Sequence, residues 1–67
     1  MHTLLHLETS NFYRKIVQEI CSELGIGYFH ASGPDEAFTV LRAEPVSLIL
    51  TAMELEGGNS VGFINGL

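Results

Sequence analysis

Three short apolar runs, Leu4 to Leu7, Tyr28 to Ala31 and Val46 to Thr51, are separated by two segments whose apolar residues recur with helical spacing. This alternation constrains the fold more than any other feature, because parallel strands require long crossovers and helices supply them. The first run ends in Glu8-Thr9-Ser10, as a buried parallel strand running into a polar loop does. Ser10 or Asn11 is placed to cap a helix. From Phe12 onward, Ile16, Val17, Ile20, Cys21 and Leu24 take one side, and Arg14, Lys15, Gln18, Glu19 and Glu23 take the other. Gly25 suits the left-handed residue after such a helix, and a short second strand follows it.

Ser32 with Asp35 three residues on resembles a capping box, and Pro34 fits a first helical turn. Ala37, Phe38, Val40 and Leu41 then give the second helix an inward face, and Pro45 ends it. Val46 to Thr51 is rich in strand-forming residues. Gly57-Gly58-Asn59-Ser60 reads as a loop whose last two residues cap a helix beginning near Val61. The expected strands are 3–7, 27–31 and 46–51, and the expected helices are 11–24, 34–43 and 60–67, in one domain spanning 1–67. Right-handed crossovers put the strands in parallel order 2-1-3 with helices on both faces, the βαβαβ(α) half of a doubly wound α/β fold. Strand three, with Leu48, Ile49 and Leu50, is then an open apolar edge of the kind that invites a partner strand, and a homodimer is the expected assembly.

A chain of 67 residues hides only about 60% of its unfolded surface on folding. With 46% hydrophobic and 16% charged residues, the composition is too apolar for a disordered segment. No run of about 18 apolar residues is present to cross a bilayer, and no signal peptide is visible. A cytoplasmic, soluble domain is the expectation. The single cysteine, Cys21, excludes an internal disulfide and reads as a small buried hydrophobe. The formal net charge of -5 opposes a phosphate backbone or an anionic membrane surface, so neither nucleic acid nor membrane is an expected partner of this segment.

Catalytic and cofactor motifs are weak throughout. His6 and His30 fall on adjacent strands, but ligand spacing is irregular and cysteine support is lacking, so His6 reads as a neutral strand histidine and His30 as a strand-end polar group. Gly25-Ile26-Gly27 follows a helix and lacks a third glycine at His30, unlike a dinucleotide fingerprint. Gly57-Gly58 lacks the lysine and hydroxyl of a P-loop. No serine has the spacing of a nucleophile with a histidine base. Tyr13 and Arg14 lie on the side of the first helix where exposure is the default. The chain is not expected to be an enzyme.

The acidic end of strand one, the length and phase of the first helix, and the apolar third strand with its following loop together resemble the first half of a response-regulator receiver domain, the phosphorylatable module of two-component signalling. The resemblance covers residues 4 to 67 and implies a flavodoxin-like fold. In that family the loop after strand three begins with the phosphate-accepting aspartate and continues through a bulky apolar residue and proline to a glycine. Here the corresponding stretch is Ala52-Met53-Glu54-Leu55-Glu56-Gly57-Gly58-Asn59-Ser60. Leu55 and Asn59 fit, as do Val61 and Phe63-Ile64, while Ala52, Glu56 and Ser60 replace the aspartate, the proline and the last glycine.

Phosphoryl transfer to a carboxylate needs the nucleophile, a divalent cation on oxygen ligands, and positioned groups for the phosphoryl oxygens. The resemblance implies that Glu8-Thr9 stands where the family holds magnesium with an acidic pair. Thr9 offers only a neutral hydroxyl, so the magnesium site is impaired and no cofactor is expected. Glu54 keeps the position whose backbone carbonyl serves the metal. Glu8, Thr9 and Glu54 thus form a vestigial acidic pocket, beside the plainer readings of Glu8 as a carboxylate capping the following helix and of Glu54 and Glu56 as a solvated loop. Ala52, at the lost phosphoacceptor position, cannot be phosphorylated.

The resulting expectation is a degenerate receiver fragment in a phosphorelay, acting as a non-phosphorylatable protein-interaction or dimerisation module. A second reading is the receiver half of a longer regulator that senses a cation or ligand at the vestigial pocket and controls an output domain. A third is an unrelated small α/β protein whose acidic loops bind a metal or cofactor.

Overall fold

Aliphatic residues in Thr3–Leu7 (β1) give a strand that can be covered on both faces, and it pairs in parallel with Gly27–Ala31 (β2) on one side and Leu48–Thr51 (β3) on the other. The computed structural model describes residues 2–55 and 58–67. Along the chain, α1 (Asn11–Leu24) links β1 to β2 and α2 (Pro34–Ala43) links β2 to β3. A two-residue antiparallel pair, β4 (Glu54–Leu55) and β5 (Gly58–Asn59), precedes α3 (Ser60–Asn65). The sheet order is β2-β1-β3, the parallel 2-1-3 arrangement that strand–helix alternation implies.

The helix ends follow from local chemistry. The Ser10 hydroxyl accepts from Tyr13 N–H at 3.5 Å, and Gly25 closes α1 with φ +70°, a left-handed conformation that glycine adopts without a Cβ penalty. Pro34 opens α2, but the capping box read from Ser32 and Asp35 does not form. Gly33 is the N-cap, and the Glu36 carboxylate instead reaches back to accept from Ser32 N–H at 3.2 Å. Asn59 caps α3 through its side chain, 3.0 Å from Gly62 N–H.

The register fixes which side chains share a face, because side chains alternate across a strand. Leu5, Leu7 and Ala31 are buried on one face with Ala37 of α2, Leu55 of β4 and Phe63 of α3; Phe29, Phe38, Val40, Leu41, Val46 and Ala52 pack around them. Phe63, 1% exposed, stacks obliquely on Phe38 at a centroid distance of 5.1 Å. The opposite face carries Leu4, His6, Tyr28 and His30, with Leu48 and Leu50 in register beside them. Among the described residues α1 packs over this second face on its β2 side.

Three sequence readings need correction. The apolar side of α1 is only half covered: Cys21 is buried, but Phe12, Ile16, Ile20 and Leu24 are exposed, because nothing described lies between α1 and β3. β3 begins at Leu48 rather than at Val46, since the backbone leaving α2 first turns through a Val46 N–H to Glu44 carbonyl bond. The stretch after β3 is not simply a loop, for Glu54 pairs with Asn59 and Leu55 with Gly58. The readings on Glu56 and Gly57 fall outside the described residues.

Candidate functional site

Parallel strands direct their carboxyl ends to one edge of the sheet, where α/β folds hold their ligands. Here that edge carries Glu8-Thr9 after β1 and Ala52 after β3. Leu7 and Thr51 are register partners, and Ala52 N–H donates to the Leu7 carbonyl at 2.9 Å, so Ala52 lies directly beside the end of β1. Its methyl group packs against the core. Glu8 turns its carboxylate onto its own backbone: one oxygen accepts from Thr9 N–H at 3.1 Å and Ser10 N–H at 3.3 Å. Both N–H groups precede α1, whose N-cap is Ser10, so the carboxylate holds the turn into the helix and does not cap it. Glu54 is exposed in β4 and joins no cluster of metal-ligating side chains with Glu8; among the described residues no group of three or more His, Cys, Asp or Glu is placed to hold a metal ion.

The histidines form a structural network on the α1 face. His6, 3% exposed, sits with Nδ1 2.9 Å from the Tyr28 hydroxyl, which also donates to the Arg14 carbonyl at 3.4 Å. Burial pushes the His6 imidazole below its ordinary 6.5; Glu8 opposes that shift, while His30 and Arg14 add to it. Burial likewise raises the Tyr28 hydroxyl above 10, against the pull of Arg14. With its single proton on the Arg14 carbonyl, the Tyr28 hydroxyl accepts from His6 Nδ1–H. His30 bonds through Nε2 to the Glu8 carbonyl at 2.7 Å and so ties the end of β2 to the end of β1. Tyr13 is exposed, whereas Arg14 is half-buried, bonds Asn11 through Nη1 at 2.8 Å, and keeps a buried Nε with no partner among the described residues.

A shallow cavity of about 260 Å³ lies on the outer side of α1, lined by Asn11, Arg14, Lys15 and Gln18. The larger anomaly is β3. Leu48, Ile49 and Leu50 are 55, 37 and 45% exposed, values far above those of strands buried in a parallel sheet. Ala52 N–H bonds Leu7 at the end of β1; by strand alternation Leu50 and Leu48 also turn their backbone groups to β1, and those of Ile49 and Thr51 face the open edge. Ile16 and Ile20 on the apolar side of α1 are exposed as well. Sequence reasoning identified the edge but missed this helix exposure, which helical spacing alone cannot separate from burial.

Searches of protein-family models, curated proteins and solved structures return no match to this chain. No helix among the described residues is long and apolar enough to cross a membrane.

Proposed function

We propose that the chain is the first half of a flavodoxin-like receiver-type domain whose phosphoacceptor site has degenerated, and that it acts in cytoplasmic two-component signalling as a non-phosphorylatable protein-interaction or dimerisation module. The observation that carries this reading is the open, uncharged β3 edge beside an uncovered apolar sheet face. Such edges pair with further strands unless charge, proline or a bulge blunts them, and Leu48–Thr51 contains neither charge nor proline. The position of Ala52 supports the receiver assignment. It stands at the strand-carboxyl edge beside Leu7, where a carboxylate would meet a metal held after β1, yet its methyl group offers no nucleophile. The Glu8 carboxylate is engaged by backbone N–H groups, which favours the interaction role over cation sensing.

Incubation with acetyl phosphate and magnesium, read by intact mass, tests the loss of phosphorylation. The expected result is no gain of a phosphoryl group; stable incorporation, localised to the loop after β3, would overturn the proposal. Surface function is read separately, by self-association of wild type against Leu50→Lys.

A further inference from the structure

Resting on the reading of β3 as a docking edge, we infer that its preferred occupant is an extended apolar segment of a partner protein carrying lysine or arginine at the end that lies beside Glu54. The two ends of β3 differ in charge. At the amino end, Glu44 caps α2 and is offset by Arg42 in the last turn of the same helix. At the carboxyl end, Glu54 follows in β4, and no lysine or arginine comes after Arg42 in the chain. The other two cations, Arg14 and Lys15, line a cavity on α1, and Arg14 is joined to Tyr28 of β2 rather than to β3.

Strand addition takes its affinity from main-chain hydrogen bonds and its selectivity from side chains at and beyond the strand. The outward backbone groups of Ile49 and Thr51 supply the first, and the side chains of Leu48, Ile49 and Leu50 give apolar contacts on both faces of the added strand. Selectivity then falls to the flanks. A second copy in two-fold antiparallel pairing would bring its Glu44–Arg42 end toward Glu54, a nearly neutral match. A basic flank instead meets an uncompensated carboxylate within a Debye length of about 8 Å at physiological ionic strength. Such complementarity raises association rate and selects among partners more than it raises bulk affinity.

Fluorescence anisotropy with labelled Val/Thr-alternating peptides tests this on the whole chain. Three peptides differ only in a terminal pair of lysines, glutamates or glutamines. The lysine peptide is expected to bind at least tenfold more tightly than the glutamate peptide in low salt, with the ratio falling toward one as sodium chloride is raised. Glu54→Gln should remove most of that preference and leave glutamine-peptide binding intact, whereas Glu44→Gln should leave the preference in place. Leu50→Lys, and independently Leu48→Lys, should weaken all three peptides while circular dichroism stays unchanged. Equal affinity for the three peptides, or a lysine preference untouched by Glu54→Gln, would overturn the partner assignment while leaving the edge itself as the docking surface. Failure of every peptide to bind, or wild-type affinity in both lysine variants, would overturn the assignment together with the docking edge on which it rests.

Discussion

The His6 imidazole and the Tyr28 hydroxyl meet at 2.9 Å across adjacent strands, with their rings edge-on at a centroid distance of 5.9 Å. The pair joins β1 to β2 on the face that α1 covers, and the Tyr28 hydroxyl extends the link to the Arg14 carbonyl in α1. A buried histidine so placed makes the fold sensitive to acid.

His6 holds its proton in the fold only below its ordinary 6.5, because burial disfavours the charged ring, whereas the unfolded chain takes up that proton near 6.5. Between those two points the unfolded state binds more protons, so stability falls as pH drops through the window and is intact above it. Urea midpoints measured from pH 6.5 downward should decline, and the decline should be shallower in His6→Gln. Parallel declines in the two proteins would show that other groups govern the acid limb.

Tyr28→Phe removes the hydroxyl and leaves His6 Nδ1 and the Arg14 carbonyl without this partner. The expected loss is about 1 kcal/mol of unfolding free energy, the ordinary net worth of a part-buried hydrogen bond. Nitrogen chemical shifts of His6 should also move, reporting a changed tautomer balance. A variant as stable as wild type with an unchanged His6 spectrum would remove the pair from the account.

Phe63 is the largest fully buried side chain and anchors α3 to Phe38 and the β1 core. Phe63→Ala should lose about 3–5 kcal/mol, comparable with the whole stability of a domain this small. Circular dichroism should show a largely unfolded chain. A cooperative melt near the wild-type midpoint would mean that α3 is not part of the core.

Caps give smaller and separable effects. Asn59→Ala should cost about 1 kcal/mol by freeing Gly62 N–H, and Gly25→Ala should cost about 1–2 kcal/mol by forcing a Cβ into the left-handed region. Denaturant midpoints of the two single variants and the double variant check both, and their losses should add because the sites share no partner.

The elements up to α2 were legible in the sequence because several signals coincided there. Ser10 and Gly25 bracket α1, Pro34 opens α2, and the apolar runs between them have no helical period. The order 2-1-3 followed from right-handed crossovers taken with helices on both faces of the sheet. The β4–β5 pair was not legible, since two-residue strands leave no alternation to read. The engagement of His6 with Tyr28 was equally hidden, because it depends on a register that pairs Leu4 with Tyr28 and His6 with His30. At the candidate site, the sequence showed that Ala52 lacks a nucleophile, and only the fold placed it beside Leu7. The fold alone revealed that the Glu8 carboxylate turns back onto Thr9 and Ser10.

The central claim, that the β3 edge is an interaction surface, is tested most directly by light scattering after size exclusion over a range of concentrations, with circular dichroism on the same peak. The account predicts a folded species whose mass rises with concentration toward twice that of the monomer, and a Leu48→Lys/Leu50→Lys variant that stays folded and monomeric throughout. A dimer indifferent to both substitutions, or a folded wild-type monomer at every concentration that also binds none of the strand peptides, would contradict it.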